Sequence, residues 1–234
     1  MSPVDSANFM DKHPTHHEQE LAFLKDRLLL MAGHAEGSVN NAIRALMERD
    51  DALARQIKED DQVIDNFEIE IDDLCLRQLA RAPLASDLRF ITVAMKISRD
   101  LERIGDEATT ISRRVLELNC EPQLKPYIDI PRMARLALDM LKEALDAFVS
   151  RDSKQARLLI PRDKEVDAIH KQLQRELVSY MIERPSTITR ALNLMTISKA
   201  IERIADHATN IAEEVVFNCE GRDIRHSAAA LLKA

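Results

Sequence analysis

Tryptophan is absent from the 234 residues, and aromatic side chains make up only 3% of them. Stacking nucleic-acid bases needs several exposed rings, so this scarcity argues against single-strand recognition. Glycine occurs 4 times and proline 8 times, too rarely for a chain built of many turns. With Leu, Ala, Arg, Glu and Asp abundant, an almost wholly helical protein is expected. The three cysteines, Cys75, Cys120 and Cys219, are an odd set without metal-type spacing and read as reduced thiols. No apolar run approaches the ~20 residues of a membrane span, and the opening residues lack a basic-then-apolar leader pattern. A cytoplasmic location without membrane insertion is expected. Excess positive charge is missing too: the net charge is -7, which argues against non-specific nucleic-acid binding and suits cations or basic protein surfaces.

What the chain does have is a repeat. Met95-Lys-Ile-Ser-Arg-Asp-Leu-Glu-Arg-Ile-Gly-Asp-Glu-Ala-Thr-Thr-Ile111 returns 100 positions later as Met195-Thr-Ile-Ser-Lys-Ala-Ile-Glu-Arg-Ile-Ala-Asp-His-Ala-Thr-Asn-Ile211. Ile97, Leu101, Ile104, Ala108 and Ile111 step by four and three, the apolar seam of a packed helix. Met95, Ser98, Glu102, Asp106 and Thr109 form a second stripe on its flank, which a plain bundle helix does not need.

Taken in order, residues 1–15 read as a tail, with His13, His16 and His17 at its edge. Three helices follow within 16–119: one from His16 to Asp50, one from Ala52 to Arg81, and a third opened by Pro83 and capped by Ser86. Pro122, Pro126 and Pro131 mark a linker over 120–131. Three more helices fill 132–219; Pro161 should kink or delay the second of them, and Gly221 should stop the third. Residues 220–234 form a C-terminal tail. The expected fold is all-α, two tandem three-helix bundles.

The helix before each repeated stretch also carries paired acids, Asp61/Asp65 and Asp163/Asp167, at a shift of 102. Asp61 and Asp106 lie equally far from the turn at Pro83/Leu84, as do Asp65 and Glu102. The same holds for Asp163 with Asp206, and Asp167 with Glu202, about Arg184/Pro185. In straight antiparallel helices these residues stand at one height, roughly 30 Å from the turn. Four carboxylates at close quarters repel unless a cation compensates. Oxygen-only sites suit Mg, Mn, Fe or Ca in one or several ions, and zinc less well. His170 lies three after Asp167 but matches Glu68 in the first half, so it reads as a surface residue. Arg103 and Arg203 point about 100° from the neighbouring Glu and are expected at a rim or in partner contacts.

Leu-Ala-Ser-Asp-Leu-Arg89, Leu-Glu-Arg-Ile-Gly-Asp106, the second copy through Ile211 and Gly-Arg-Asp-Ile-Arg-His226 together resemble the PhoU family, over about Glu18 to His226. The family's fold would be two tandem three-helix bundles, often dimeric. The resemblance implies a negative regulator of the phosphate-starvation response and a modulator of phosphate uptake, linking a phosphate ABC transporter ATPase to a sensor histidine kinase. It also implies metal binding through (Glu/Asp)-x-x-x-Asp motifs, which fall on the eight acids named above; Ala205 departs from the motif's glycine. An adaptor rather than an enzyme is expected. The alternative is a carboxylate-bridged metalloenzyme, against which stands the lack of a Ser/His/Asp set, a phosphate loop or paired Glu-x-x-His motifs.

Overall fold

The computed structural model describes residues 16–81 and 84–225. The expected tail at 1–15, Pro83 and residues 226–234 lie outside them. The helices are α1 (His16–Glu48), α2 (Asp51–Leu79), α3 (Ala85–Asn119), α4 (Asp129–Ser150), α5 (Ser153–Leu159), α6 (Asp163–Glu183) and α7 (Ile188–Glu220). No strand occurs among the described residues.

Local chemistry sets the boundaries. Arg49 and Arg151, 102 apart, both end a helix in the left-handed region at φ 57° and 55°. Each precedes an aspartate N-cap. Asp50 accepts from the Leu53 amide at 3.0 Å, and Asp152 accepts from Lys154 and Gln155 at 2.9 and 3.0 Å. Pro161, which has no amide hydrogen, sits in a single tight turn at Ile160–Arg162 that separates α5 from α6. The expected fifth helix is therefore two segments. Ser86 is not the cap of α3: Leu84 holds that position without a side-chain bond, and the Ser86 hydroxyl donates to Asp87 instead. Pro131 lies in the first turn of α4, where a missing amide is tolerated. Gly221 ends α7 at φ 67°, its amide donating to the Phe217 carbonyl at 2.9 Å. Arg89 passes so near that a Cβ there would collide with it.

α1, α2 and α3 pack into one three-helix bundle, and α4, α5–α6 and α7 into a second. The halves are not separate bodies on a linker. α3 runs antiparallel along α7, with Lys96 opposite Glu214, Asp100 opposite Asn210, and Glu107 opposite Arg203. These pairs centre on Gly105 and Ala205, equivalent positions of the two copies, so the halves meet about an internal two-fold. Their buried side chains form one continuous core. Phe90 of α3 stacks on Phe148 of α4 at 5.7 Å across the boundary. No helix among the described residues is long and apolar enough to cross a membrane.

Candidate metal centre

The apolar seam of α3 (Ile97, Leu101, Ile104, Ala108, Ile111) is fully buried, and this fixes the rotation of the flanking acidic stripe. Glu102 and Asp106 are thereby turned toward Asp61 and Asp65 on α2. The electrostatics show the matched heights. Burial raises the Asp61 carboxyl above its ordinary range, with Asp65 and Asp106 adding repulsion. Burial likewise lifts Glu102 to about 7, helped by Asp106, Glu68 and Asp65 and opposed by Arg103. In the second half Asp163 is raised by burial, Asp167 and Glu202. Asp206 is raised to about 6, first by burial and then by Glu202, Asp163 and Asp167. All eight expected acids thus stand in two groups, one in each half.

Basic side chains occupy part of each group. Arg103 reaches Glu102 at 3.3 Å and Asp106 at 2.9 Å. Contrary to expectation it therefore turns back onto the acids: a long guanidinium stem swings through the angle that separates adjacent helical positions. Arg203 does not copy it, and binds Glu107 of α3 at 3.1 Å, tying the two bundles together. Lys199 pairs with Glu202, and Lys171 with Asp167 at 2.9 Å. With these pairs formed, no three His, Cys, Asp or Glu side chains among the described residues stand at metal-holding distance.

The donor set nonetheless fits a hard cation. Glu102 Oε2 is buried and accepts no hydrogen bond. The equivalent Thr109 and Thr209 hydroxyls are likewise buried without a well-formed bond, although Thr109 lies close enough to Asp61 to favour its ionised form. Buried oxygens without a well-formed hydrogen bond, beside carboxyls that resist ionisation, are a setting that a hard cation relieves. Asp61, Asp65, Glu102 and Asp106 would hold one such ion or cluster, and Asp163, Asp167, Glu202 and Asp206 the other.

Two features escaped the spacing argument. Glu68 is a fifth acid of the first group, its carboxyl raised by burial and by Asp72 and Asp65. The steps of four, three and four through Asp61, Asp65, Glu68 and Asp72 were its signal. His170, expected at the surface, is buried, and its Nδ1 lies 3.0 Å from Ser198 Oγ. Because that hydroxyl donates to the Met195 carbonyl at 2.9 Å, Nδ1 must be the donor to Ser198. Burial lowers the His170 pKa.

The profile described as PhoU domain matches residues 28–115 and again 130–215, one match enclosing each four-acid group. The chain belongs to the PhoU family. Among named PhoU relatives, the phosphate-specific transport system accessory protein PhoU homolog of Pseudomonas aeruginosa is 42% identical over 227 residues, 94% of this chain and 93% of that one. The PhoU accessory protein of Escherichia coli K12 is 34% identical over 225 residues, covering 95% and 93%. Two PhoU crystal structures share the fold at TM-score 0.84. That from P. aeruginosa is 42% identical over 87% of this chain and 99% of its own. That from Streptococcus pneumoniae, titled a phosphate transport system regulatory protein, is 30% identical over 88% and 98%.

Proposed function

We propose that this chain is a phosphate-transport accessory protein that represses the phosphate-starvation response while phosphate is plentiful. It is read as a cytoplasmic homodimer that docks onto a phosphate ABC transporter ATPase and a sensor histidine kinase, as an adaptor rather than an enzyme. The observation that carries the reading is the near full-length match to relatives named as accessory proteins of phosphate-specific transport.

Metal belongs to the same proposal, supported by the buried Glu102 oxygen that accepts no hydrogen bond and by the raised carboxyls. A bound cation would supply positive charge that neutralises the acids of each groove. The chain's own residues then respond: once Glu102 and Asp106 are neutralised, Arg103 has less to hold it and becomes available at the rim for a partner. Arg203 would serve the same surface from the second half. Affinity for a partner that meets this rim would rise with metal, and by linkage the partner would tighten the metal.

The test replaces the gene with one encoding Asp65→Asn and Glu102→Gln. Metal bound to the first groove should disappear and metal in the second remain, measured by elemental analysis of chelator-free preparations. Starvation-induced reporters should rise in phosphate-rich medium. Arg103→Gln should weaken docking to the ATPase or kinase. Wild-type metal content with wild-type repression would overturn the reading, and turnover of phosphate esters or oxygen would replace it with the metalloenzyme.

A further inference from the structure

The packing of α3 against α7 leaves a cleft on each side of the internal two-fold. Equivalent copies would make equivalent clefts, and these differ. On one side Lys96, Arg99 and Arg103 of α3 and Arg225 beyond α7 surround a space of about 600 Å³. On the other, Thr196, Lys199 and Arg203 stand at the positions equivalent to the three α3 cations, and Leu192 and Met195 help to line a cleft of about 300 Å³. The divergence continues across the cleft: His207 and Asn210 face the basic side where Glu107 and Thr110 face its counterpart. A protein of net charge -7 thus places four cations around one cleft.

The carboxylates there are already engaged. Glu214, whose side chain is 5% exposed, receives Lys96 Nζ at 3.1 and 3.0 Å and Arg225 at 3.2 Å. Asp100 faces His207 Nδ1 at 2.8 Å and accepts weakly from Asn210 at 3.4 Å. Asp223 holds the remaining edge of Arg225. Glu214 and Asp223 together fix Lys96 and Arg225 in place and balance their charge, so the free positive charge of the cleft lies on Arg99 and, beside it, Arg103. Arg99 is exposed, makes no hydrogen bond or ion pair among the described residues, and acts on Glu68 only through space.

We infer that this cleft binds a phosphate-bearing anion, either inorganic phosphate or a short phosphoanhydride chain. Guanidinium groups match phosphate oxygens in pairs; Arg99 offers an unengaged one, and Arg103, held by Glu102 and Asp106, lines the cleft one turn further along the same helix face. From Lys96 to Arg103 that face is roughly 10 Å long, longer than one phosphate group and suited to two or three in a row. No Phe, Tyr or Trp lines the cleft, and the one ring there, His207, is held by Asp100, so no large aromatic platform for a nucleobase is present among the described residues. The cleft shares Arg103 with the rim of the first groove, but anion binding there requires neither bound metal nor the regulatory reading.

Calorimetric titration of the full chain, stripped of metal so that no groove-bound ion can bridge to phosphate, tests it with inorganic phosphate, pyrophosphate, tripolyphosphate and ATP. Binding should strengthen with phosphate number, and ATP should bind no more tightly than tripolyphosphate. Arg99→Gln should weaken binding about tenfold, corresponding to the loss of one charge-assisted contact, and Arg225→Gln should weaken it at least as much, because it leaves Glu214 and Asp223 less compensated beside the anion. Arg135→Gln, which removes an exposed cation from a different surface, should leave it unchanged. Arg99 has no hydrogen-bond or ion-pair partner among the described residues, so its variant should melt with wild type. Absence of binding by any of the four anions at millimolar concentration, or equal affinity in both cleft variants and wild type, would overturn the inference.

Discussion

The two carboxylate grooves hold the same number of motif acids at matched heights, yet they are built differently. In the first, Ile64 packs against Gly105, and a Cβ on that glycine would come within 2.9 Å of Ile64 Cδ1. In the second, the equivalent residues are Val166 and Ala205, both buried. One carbon has moved from the side chain on one helix to the backbone neighbour on the other. The acidic stripe also ends differently, continuing through Glu68 in the first half and stopping at neutral, buried His170 in the second. What the repeat keeps is four acids and a filled seam. How volume and charge are divided among the neighbours is free to change.

Exchanging the divergent residues is the sharpest way to break this comparison. His170→Glu would bury a carboxylate beside Asp167 and Glu202 and should destabilise the fold by about 3 kcal/mol. The reverse exchange, Glu68→His, lies at a half-exposed position and should shift stability by only about 0.5 kcal/mol. Urea denaturation of both metal-free variants decides it; equal losses would mean that the two grooves are interchangeable at this level.

The pH dependence probes charge rather than packing. Glu102 titrates near 7 in the fold against an ordinary value of 4.5, so between those values the folded chain holds more protons than the unfolded one. Stability of the metal-free protein should therefore fall as pH rises through that window. Asp206, raised to about 6, acts in the same direction. His170 opposes them: its pKa is lowered, so below its ordinary 6.5 the unfolded chain takes up the proton first and stability falls with acid. Glu102→Gln should flatten the decline by about 1 kcal/mol after allowance for solvent screening. Melting temperatures from pH 5 to 8 read this directly, and an unchanged slope would remove Glu102 as its source.

The smallest effect is the most specific. Gly105→Ala gains about 1 kcal/mol of helix propensity but meets Ile64, so it should be nearly neutral in wild type. In an Ile64→Val background the same change should stabilise by about 0.5 kcal/mol more than in wild type, because the Ile64 Cδ1 contact is gone and only Asp61 Oδ1, 3.1 Å from the new Cβ, must give way. Additive values in this double-mutant cycle would show that the two sites are not complementary.

The repeat, the helical class and the eight acids were legible because each follows from a period: apolar residues at three and four, acids at four, copies about 100 apart. What spacing could not show were contacts that depend on long side chains and on packing between copies. Arg103 folds back onto Glu102 through its stem, a freedom no helical wheel encodes. His170 can be buried because Ser198, on a helix distant in sequence, accepts a hydrogen bond from its Nδ1. The Arg49-Asp50 and Arg151-Asp152 pairs were present as a repeated dipeptide; their left-handed turn and cap appear only once the helices on either side are placed.

The contact between α3 and α7 carries a message about ancestry. A single unit of three helices would leave the α3 face uncovered, and an antiparallel encounter with its own copy would cover it, each patch meeting itself across a true two-fold. Duplication in tandem makes that encounter intramolecular and releases the partners from identity. Mutations can then accumulate on one side of the axis alone. Arg203 clasping Glu107 while Arg103 turns to Asp106 shows that freedom: two equivalent positions of the repeat hold two different contacts.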